Sequence, residues 1–317
     1  MGLSFASPRV LVAGSVNMDL SMRLRRSPEA GETVFGDGYA YIPGGKGANQ
    51  AVGAARLGAA VTFCGRIGSD PAGEQLRDGL KAEGIDVSFL EADGAAPSGL
   101  AVIHVEEGGQ NRITVLSGAN MRVTPGDAAK ALERDYDALI MQLEIPLETV
   151  AEACRMAAAK GIPVILDAGP AMRLPPERLR GSIAVISPNE TEARAMTGIP
   201  VDGDDGALKA AEKIFEDFCP KAVVLKLGKR GALLYAGGKG EFVPAFEGIK
   251  AVDTTAAGDA FTAALAIGYA CGGGLADAVR YANAAGGLCV SKKGAQPAMP
   301  TKDEVEWLLR GLPHGRV

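Results

Sequence analysis

The stretch Val10-Leu11-Val12-Ala13-Gly14-Ser15-Val16-Asn17-Met18-Asp19 joins a short aliphatic run to a glycine turn and a polar segment. A run of this length predicts a strand buried on both faces, which is typical of a parallel sheet. Similar runs recur at 61–64, 138–141, 164–166, 183–186 and 223–225. Amphipathic helical patterns separate most of them, at 73–83, 147–160 and 206–218. The alternation predicts an α/β fold, a doubly wound, mainly parallel sheet flanked by helices, with ligands at the carboxyl ends of its strands.

Two regions depart from this rhythm. Residues 20–42 and 100–116 alternate between apolar and polar side chains, as half-exposed strands do. We expect them to form a small separate β-sheet, inserted at two points, that covers the ligand site as a lid. Residues 221–244 predict a strand followed by a hairpin. Because no linker composition separates these parts, residues 1–317 are interpreted as a single domain that carries the lid.

Composition argues against several classes of protein. The net charge of −5 and the pI near 5.3 argue against nucleic acid as a partner. Histidine occurs only at His104 and His314, which argues against a histidine-based triad or a multi-histidine metal site. The five cysteines are scattered, which suits reduced thiols in a cytoplasm, and each is predicted to be a small core residue: Cys64, Cys154, Cys219, Cys271 and Cys289.

The sequence does not predict a membrane protein. No signal-peptide pattern precedes the first strand. The longest uncharged run, 260–276, is short for a membrane span and contains three consecutive glycines. It predicts a buried core helix in a soluble, cytoplasmic protein.

The densest chemical signal is Asp253-Thr254-Thr255-Ala256-Ala257-Gly258-Asp259, which precedes a helical pattern at 260–267. A small-residue turn at a helix entrance leaves bare N–H groups that attract anions. A carboxylate beside such a site suggests a general base that takes a proton from a hydroxyl attacking a phosphoryl group. A simple helix N-cap is the alternative interpretation.

A second glycine-rich stretch is Pro43-Gly44-Gly45-Lys46-Gly47-Ala48-Asn49-Gln50-Ala51, followed by a helical pattern at 51–57. It is not a P-loop, because that motif needs glycine where Ala40 stands and serine or threonine where Gly47 stands. It also lacks the acidic residue of a dinucleotide fingerprint. Lys46 and Asn49 in a tight turn favour ligand binding, although a plain strand-to-helix turn is the alternative.

Polar residues follow several predicted strands. Asn17 and Asp19 alternate just past the first one, which suits hydrogen bonds to a polyol, or an Asx turn. Glu144 follows the strand at 138–141, either as a ligand contact or as a solvated loop charge. Asn189 and Glu192 share one face of a predicted helical turn, either as a capping box or as outer-sphere ligands of a phosphate-bound magnesium ion.

The pairing of the two glycine motifs closely resembles the ribokinase-like (PfkB) carbohydrate kinases. The resemblance extends in order to 14–19, 141–144, 188–192 and 293–297, and so spans nearly the whole chain. It implies ATP-dependent phosphorylation of the 5-hydroxyl of ribose, with Asp259 as the general base. It also implies that the N–H groups of Ala257 and Gly258 stabilise the transferring phosphoryl group.

The resemblance implies further binding residues. The sugar would be held by Asn17, Met18, Asp19, Gly45, Lys46, Gly47, Ala48, Asn49 and Glu144. The ATP site would be lined by Asn189, Lys226, Leu227, Gly228, Lys229, Arg230, Gly231, Gly258 and Asn283. Glu192 would help to place Mg²⁺ indirectly. A K⁺ ion would lie near Asp253, Thr255, Cys289, Lys292 and Gly294, largely on main-chain carbonyls. The lid strands would form a homodimer interface.

Two positions depart from the family's pattern. Lys226 stands where threonine is common, and Ala298 replaces a serine that contributes to the potassium site. Alternatives remain open within and outside the kinases. A nucleoside kinase would need an aromatic platform, for which the lid offers Phe35, Tyr39 and Tyr41; a kinase of another furanose or keto-sugar, a non-catalytic binding protein and a Rossmann-type dehydrogenase are the others.

Overall fold

The structure is a computed structural model that describes residues 7–108 and 110–311. It contains a nine-stranded sheet and a separate four-stranded sheet. Gly109 and His314 lie outside the described residues.

The large sheet forms the body of the molecule. Its strands are β1 Arg9–Ala13, β4 Ala60–Gly68, β5 Asp86–Asp93, β8 Ala138–Met141, β9 Val164–Asp167, β10 Val185–Ser187, β11 Ala222–Lys226, β12 Ala232–Ala236 and β13 Lys239–Val243. They lie in the order β13-β12-β11-β10-β9-β8-β1-β4-β5. The seven strands from β11 to β5 are parallel, and β12 and β13 close one edge as an antiparallel hairpin. The predicted fold class and the hairpin are confirmed.

Helices cover both faces of this sheet. Those on one face are α1 Lys46–Arg56, α2 Pro71–Ala82, α8 Ala257–Ala270, α9 Leu275–Val290 and α10 Lys302–Leu309. Those on the other are α3 Pro125–Ala131, α4 Leu147–Ala159, α5 Pro176–Leu179, α6 Glu190–Thr197 and α7 Asp204–Phe218. In β1, Val10 and Val12 pack into one core and Leu11 and Ala13 into the other, because successive side chains of a strand point to opposite faces.

The small sheet consists of β2 Asn17–Leu24, β3 Gly36–Gly44, β6 Gly99–Glu106 and β7 Asn111–Leu116, in the order β3-β2-β6-β7. A separate sheet from these two regions was predicted and is confirmed, but β2 begins at Asn17 rather than Leu20. The chain therefore passes from the interior strand β1 into the small sheet across only three residues, 14–16.

Three local expectations were wrong. Helix α1 begins at Lys46 rather than Ala51, and α8 begins at Ala257 rather than Ala260, so both glycine motifs run into the first helical turn. Cys219 was expected in the core but is exposed, because it ends α7 in a left-handed conformation with φ 51° that turns its side chain outward. The buried helix predicted within 260–276 is confirmed as α8, and no helix of the described ranges is both long and apolar enough to cross a bilayer.

Candidate active site

The candidate site lies where the carboxyl ends of β1, β8, β9 and β11 meet the first turns of α1 and α8. Parallel strands end at the same edge of a sheet, so residues distant in sequence converge there. Asp259 from α8, Lys46 from α1 and Asp167 from β9 form its centre: Lys46 Nζ lies 3.5 Å from Asp167 Oδ2 and 3.9 Å from Asp259 Oδ1. We call this edge the catalytic floor.

Asp259 is buried and held in place by two amides. Asn49 Nδ2 donates to its Oδ2 at 2.9 Å, and Gln50 Nε2 donates to its Oδ1 at 3.0 Å. Burial raises the pKa of Asp259 to about 6; Asp167 adds to this rise, whereas the charge of Lys46 opposes it. The carboxylate is therefore ionised near neutral pH and basic enough to accept a proton.

The entrance of α8 is not capped by a side chain. Its N-cap residue, Ala256, adopts a left-handed conformation with φ 59°, which costs roughly 1 kcal/mol for a residue with a Cβ atom. Asp259 is the third residue of the helix, so the simple N-cap interpretation does not describe it. Within the described residues the N–H of Gly258 has no acceptor, and that of Ala257 makes only a 3.4 Å contact with the carbonyl of Thr254. These groups can bind an anion.

The start of α1 is shaped by close backbone contacts. Gly45, the N-cap residue, has φ 89°, which favours glycine. A Cβ atom on Gly47 would lie 2.6 Å from the carbonyl oxygen of Ser15. The Ser15 hydroxyl donates to Glu144, and Glu144 Oε2 also accepts from the backbone N–H of Lys46 at 3.2 Å. Glu144 thus ties the two chain segments together.

Asn17 and Asp19 lie on one face of β2 beside this turn. Asn17 Oδ1 accepts from Asn120 Nδ2 at 2.7 Å, and Asn120 is itself buried. Asp19 Oδ1 is buried without a hydrogen-bond partner among the described residues. Burial, with the charges of Glu144 and Asp259, raises the pKa of Asp19 to about 7. A buried acceptor of this kind suits the hydroxyl of a polar ligand.

Of the remaining residues predicted to line the sugar site, Met18 alternates with Asn17 and Asp19 and packs into the body's core. Gly47 and Ala48 both bond to Ser15 through their backbone: the N–H of Gly47 donates to the Ser15 hydroxyl at 3.3 Å, and that of Ala48 to the Ser15 carbonyl at 2.9 Å. Asn49 Oδ1 has no partner in the described structure, although its amide nitrogen holds Asp259.

Several residues of the floor were missed from the sequence. Asp167 is fully buried and accepts from Gln50 Nε2 at 2.9 Å, and Gln50 Oε1 accepts from Gln142 Nε2 at 2.7 Å. Burial alone would raise the pKa of Asp167, but Lys226 and Lys46 lower it below its usual value. The one signal available was a polar residue directly after a buried strand, the pattern that identified Asn17. Asn120, in the short helical turn Gly118–Arg122, gave no such signal.

Asn189 and Glu192 form the capping box of α6. Asn189 Oδ1 accepts from the N–H of Glu192 at 2.8 Å, and Glu192 Oε2 accepts from the N–H of Asn189 at 2.7 Å. Within residues 7–108 and 110–311, no group of three or more His, Cys, Asp or Glu side chains is arranged to hold a metal ion. Asn189 and Glu192 alone cannot form a complete cage of protein ligands. They would suit a magnesium ion that arrives with nucleotide phosphates and keeps most of its waters.

The predicted nucleotide loop follows β11. Lys226 ends the strand, and its ammonium lies 2.6 Å from Asp167 Oδ1. The turn Gly228–Arg230 is flanked by buried Leu227 and by Gly231, while Arg230 pairs with Glu190 and Asp204. Lys229 is exposed on this turn. Asn283 is buried, and its amide donates to the carbonyls of Val243 and Pro244, so its side chain joins α9 to the end of β13.

The segments predicted to hold potassium lie together. Asp253 accepts from the N–H of Thr255 and from the N–H of Gly294, both at 2.9 Å. The Cys289 thiol approaches the Thr255 carbonyl at 3.7 Å. Lys292 Nζ is 2.6 Å from Glu304, so this ammonium lies away from Asp253, and only the main chain of Lys292 is available to a cation. Ala298 is buried nearby in the turn Gln296–Ala298.

The aromatic residues of the small sheet do not line the floor. Asp19 is paired with Ile42, whereas Tyr41 is paired with Leu20 and Tyr39 with Met22. Since residues that pair directly share a face and successive residues alternate, Tyr39 and Tyr41 lie on the face opposite Asp19. Phe35 precedes β3 and is exposed. The structure therefore offers none of these three rings as a platform beside Asp19.

The chain resembles known proteins over nearly its whole length. The model of the pfkB family carbohydrate kinases matches residues 7–302. The ribokinase of Bacillus subtilis is 40% identical over 302 residues, covering 95% of this chain and 99% of the relative, and that of Haemophilus influenzae is 38% identical over 295 residues, covering 92% and 95%. The solved structure of Arabidopsis thaliana ribokinase complexed with ribose and ATP has a TM-score of 0.89 at 34% identity, covering 96% of this chain and 99% of that one.

The chain therefore belongs to the pfkB family of carbohydrate kinases. Within that family, its catalytic floor unites the two glycine motifs that the sequence presents about two hundred residues apart, since Asn49 bonds directly to Asp259 across 210 positions.

Proposed function

We propose that this chain is an ATP-dependent sugar kinase that phosphorylates the 5-hydroxyl of D-ribose, giving ribose 5-phosphate and ADP. The observation that carries the proposal is the buried Asp259 at the uncapped entrance of α8, a base next to an anion site. Its two amide donors and Lys46 belong to the other glycine motif. The similarity to ribokinases over nearly the whole chain supports ribose as the acceptor.

In this proposal the sugar lies against β2 and the start of α1. The hydroxyls of the sugar bond to Asn17, to the unpartnered Asp19 oxygen and to Glu144. Such contacts fix the reacting hydroxyl close to Asp259, and positioning supplies much of the rate in phosphoryl transfer. Asp259 takes the hydroxyl proton as the oxygen attacks the terminal phosphorus. The N–H groups of Ala257 and Gly258 stabilise the charge on the transferring group.

The nucleotide would enter from the side of β11 and α6, with Asn189, the 226–231 loop, Gly258 and the region of Asn283 as its surroundings. When bound, Mg²⁺ would neutralise part of the phosphate charge. Glu192, whose Oε2 accepts the N–H of Asn189, is proposed to act on this ion through water. The side chain of Asn283 is engaged with the β13 backbone, so we assign it to shaping the site.

We further propose activation by K⁺ bound on the carbonyls around Asp253, Thr255, Cys289, Lys292 and Gly294. The support is the clustering of these segments by Asp253, directly before the turn that opens α8. Replacing K⁺ with Na⁺ at constant ionic strength should lower kcat, and equal activity in the two salts would contradict this assignment.

The remaining proposals concern organisation. Residues 1–317 are proposed to act as one cytoplasmic kinase domain whose small sheet serves as a lid over the sugar. The lid is also proposed as the homodimer interface, because its strands expose Tyr39, Tyr41, Ile113 and Leu116.

A coupled assay of ADP release tests the proposed reaction. Ribose, 2-deoxyribose, fructose, adenosine and pseudouridine would be compared as acceptors at saturating MgATP. Ribose is expected to give the highest kcat/KM. A preference for a nucleoside would move the assignment to the nucleoside kinases of this fold, and ADP release independent of any acceptor would argue against a sugar kinase.

A further inference from the structure

Lys226 brings a second, largely but not fully buried ammonium to the catalytic floor. It ends β11, and its side chain is only 11% exposed, while that of its partner Asp167 is 0% exposed. Its backbone N–H donates to the carbonyl of Pro188 at 2.8 Å, and it forms an isolated bridge with Asn189. This pairing holds the end of β11 against the entrance of α6, and the ammonium lies 4.0 Å from Glu192 Oε2.

Asp167 has other partners besides Lys226. Gln50 already donates to it at 2.9 Å, and Lys46 lies 3.5 Å away. A buried ion pair is also a poor source of stability, because desolvation of the two charges offsets much of their attraction. A second lysine at this depth is therefore better explained by a further negative charge that it meets.

The geometry indicates where that charge would lie. A Cβ atom built on Gly258 would be 3.7 Å from Lys226 Nζ, which places the ammonium beside the first turn of α8. The N–H of Gly258 has no acceptor in the described part of the chain, and the helix contributes a partial positive charge at this end. The ammonium and the bare N–H groups thus border the same space, a combination suited to the oxygens of a phosphate.

The charges of the floor make the lysine consequential. Asp167, Asp259 and Glu192 are opposed by Lys46 and Lys226. Without Lys226, three carboxylates would face an incoming polyphosphate with one ammonium between them. Repulsion between like charges in a poorly solvated site is strong, so a phosphate chain would bind there weakly.

We infer that the Lys226 ammonium is a catalytic residue that contacts the terminal phosphates of the nucleotide, and that Asp167 is a positioning residue that holds it beside Gly258. This inference rests on the proposed kinase function. During transfer, the bond from the terminal phosphorus to the bridging oxygen of ADP breaks as the bond to the sugar oxygen forms. The sugar proton passes to Asp259. Lys226 keeps its own proton and stabilises the negative charge that grows on ADP.

Nucleotide binding measured without sugar tests this inference. AMP, ADP and ATP would be titrated calorimetrically into the wild-type chain and into Lys226→Met, which keeps the length of the side chain and removes its charge. The expected loss of affinity is about 10- to 100-fold for ADP and ATP, as for a hydrogen bond to a charged group, with AMP affected less than twofold. Lys221→Met, an exposed lysine just before the same strand, is the matched control and should bind all three as the wild type does.

Two further variants separate this role from a structural one. Lys226→Met with Asp167→Asn removes both charges, so it remains informative if the single variant folds poorly. It is expected to keep the selective loss of ADP and ATP affinity. Asp167→Asn alone should lower kcat more than ATP affinity, because the ammonium remains charged but is no longer held in place. In the Lys226→Met background, Asp167→Asn should leave the ratio of ADP to AMP affinity unchanged.

The outcomes are distinguishable. If the double variant folds as the wild type does and binds ADP and ATP with wild-type affinity, the ion pair is only structural and the inference is wrong. An equal loss for AMP, ADP and ATP would also overturn it, because a contact with the terminal phosphates cannot weaken AMP. A wild-type chain that binds none of the three nucleotides would overturn the proposed kinase function as well.

Discussion

The catalytic floor and the small sheet proposed as a lid differ in how far their side chains are buried and hydrogen-bonded. On the floor, nearly every polar side chain is buried and bonded to another: Gln142 to Gln50, Gln50 to Asp167 and Asp259, Asn49 to Asp259. In the lid, β7 is exposed along its whole length, and Tyr39, Tyr41 and Ile113 are largely exposed. Side-chain positions are thus fixed by hydrogen bonds mainly at one edge of the large sheet, whereas the lid is held mainly by its own strand pairing.

The largest effect should come from the proposed base. Asp259→Asn keeps the size of the side chain but cannot accept the hydroxyl proton, so kcat should fall by about 10²- to 10⁴-fold. Ribose affinity measured by calorimetry should stay near that of the wild type. Asp277→Asn, at the same third position of the next helix, α9, but exposed, is the control and should keep full activity. Unchanged turnover in Asp259→Asn would show that Asp259 is not the general base.

The pH dependence of kcat/KM probes one carboxylate of the floor, Asp259, and one of the small sheet, Asp19. Both Asp259, with a pKa of about 6, and Asp19, with a pKa of about 7, are proposed to act in the ionised form. Acidification protonates both, so activity should fall below pH 7 and lose about a hundredfold per pH unit once both are protonated. In Asp19→Asn the fall should be about tenfold per unit, with its midpoint near 6. A flat profile between pH 5 and 8 would contradict both roles.

A smaller effect, on stability, compares two glycines. A Cβ atom on Gly47 would lie 2.6–2.8 Å from backbone atoms of Ser15 and Gly14, whereas one on Gly38 in the lid would meet nothing within 4 Å. Gly47→Ala should therefore lower the free energy of unfolding by about 1–3 kcal/mol, and Gly38→Ala should change it by less than about 0.5 kcal/mol. Urea denaturation measures both. Similar losses in the two variants would show that the lid is as tightly constrained as the floor.

The smallest effect on folding is expected at exposed side chains of the lid, which occur on both of its faces. Tyr39→Ser and Ile113→Ser should alter the free energy of unfolding of the body by less than about 0.5 kcal/mol, because neither side chain is buried in it. They should nevertheless shift a homodimer toward monomers in sedimentation experiments. Phe242→Ser, on the exposed edge strand β13, is the control and should not change the mass. A monomeric wild type would argue against the proposed interface.

Sequence reasoning succeeded where a local pattern carried the chemistry. The aliphatic runs predicted the parallel sheet, and the alternation of Asn17 and Asp19 after such a run placed both on one face of a strand. Asp259 was identifiable because a carboxylate follows a small-residue turn. The role of each of these residues remains a proposal, but their convergence on one edge of the sheet is what the fold requires.

What escaped prediction depended on contacts between distant segments. Asp167 looked like any polar residue at the end of a strand, and only packing brings Gln50 and Lys226 to it. The start of α1 was misplaced because glycines predict a turn, whereas here Gly45 alone takes the positive φ and the helix begins at Lys46. Asn283 is predicted to line the nucleotide site, and no local pattern indicated that its amide nitrogen donates to the carbonyls of Val243 and Pro244.

Because β2 leaves the body through a short connection, positions along β2 lie at very different distances from this connection. Strand β2 has eight residues and so is about 26 Å long, and its pivot is the segment 14–16, packed into the body. A rotation of roughly 10° about this pivot would move Asp19 by about 2 Å and Leu24 by about 5 Å. If Asp19 shifts when the proposed sugar binds, the largest displacement is therefore expected at the far end of β2, near Leu24.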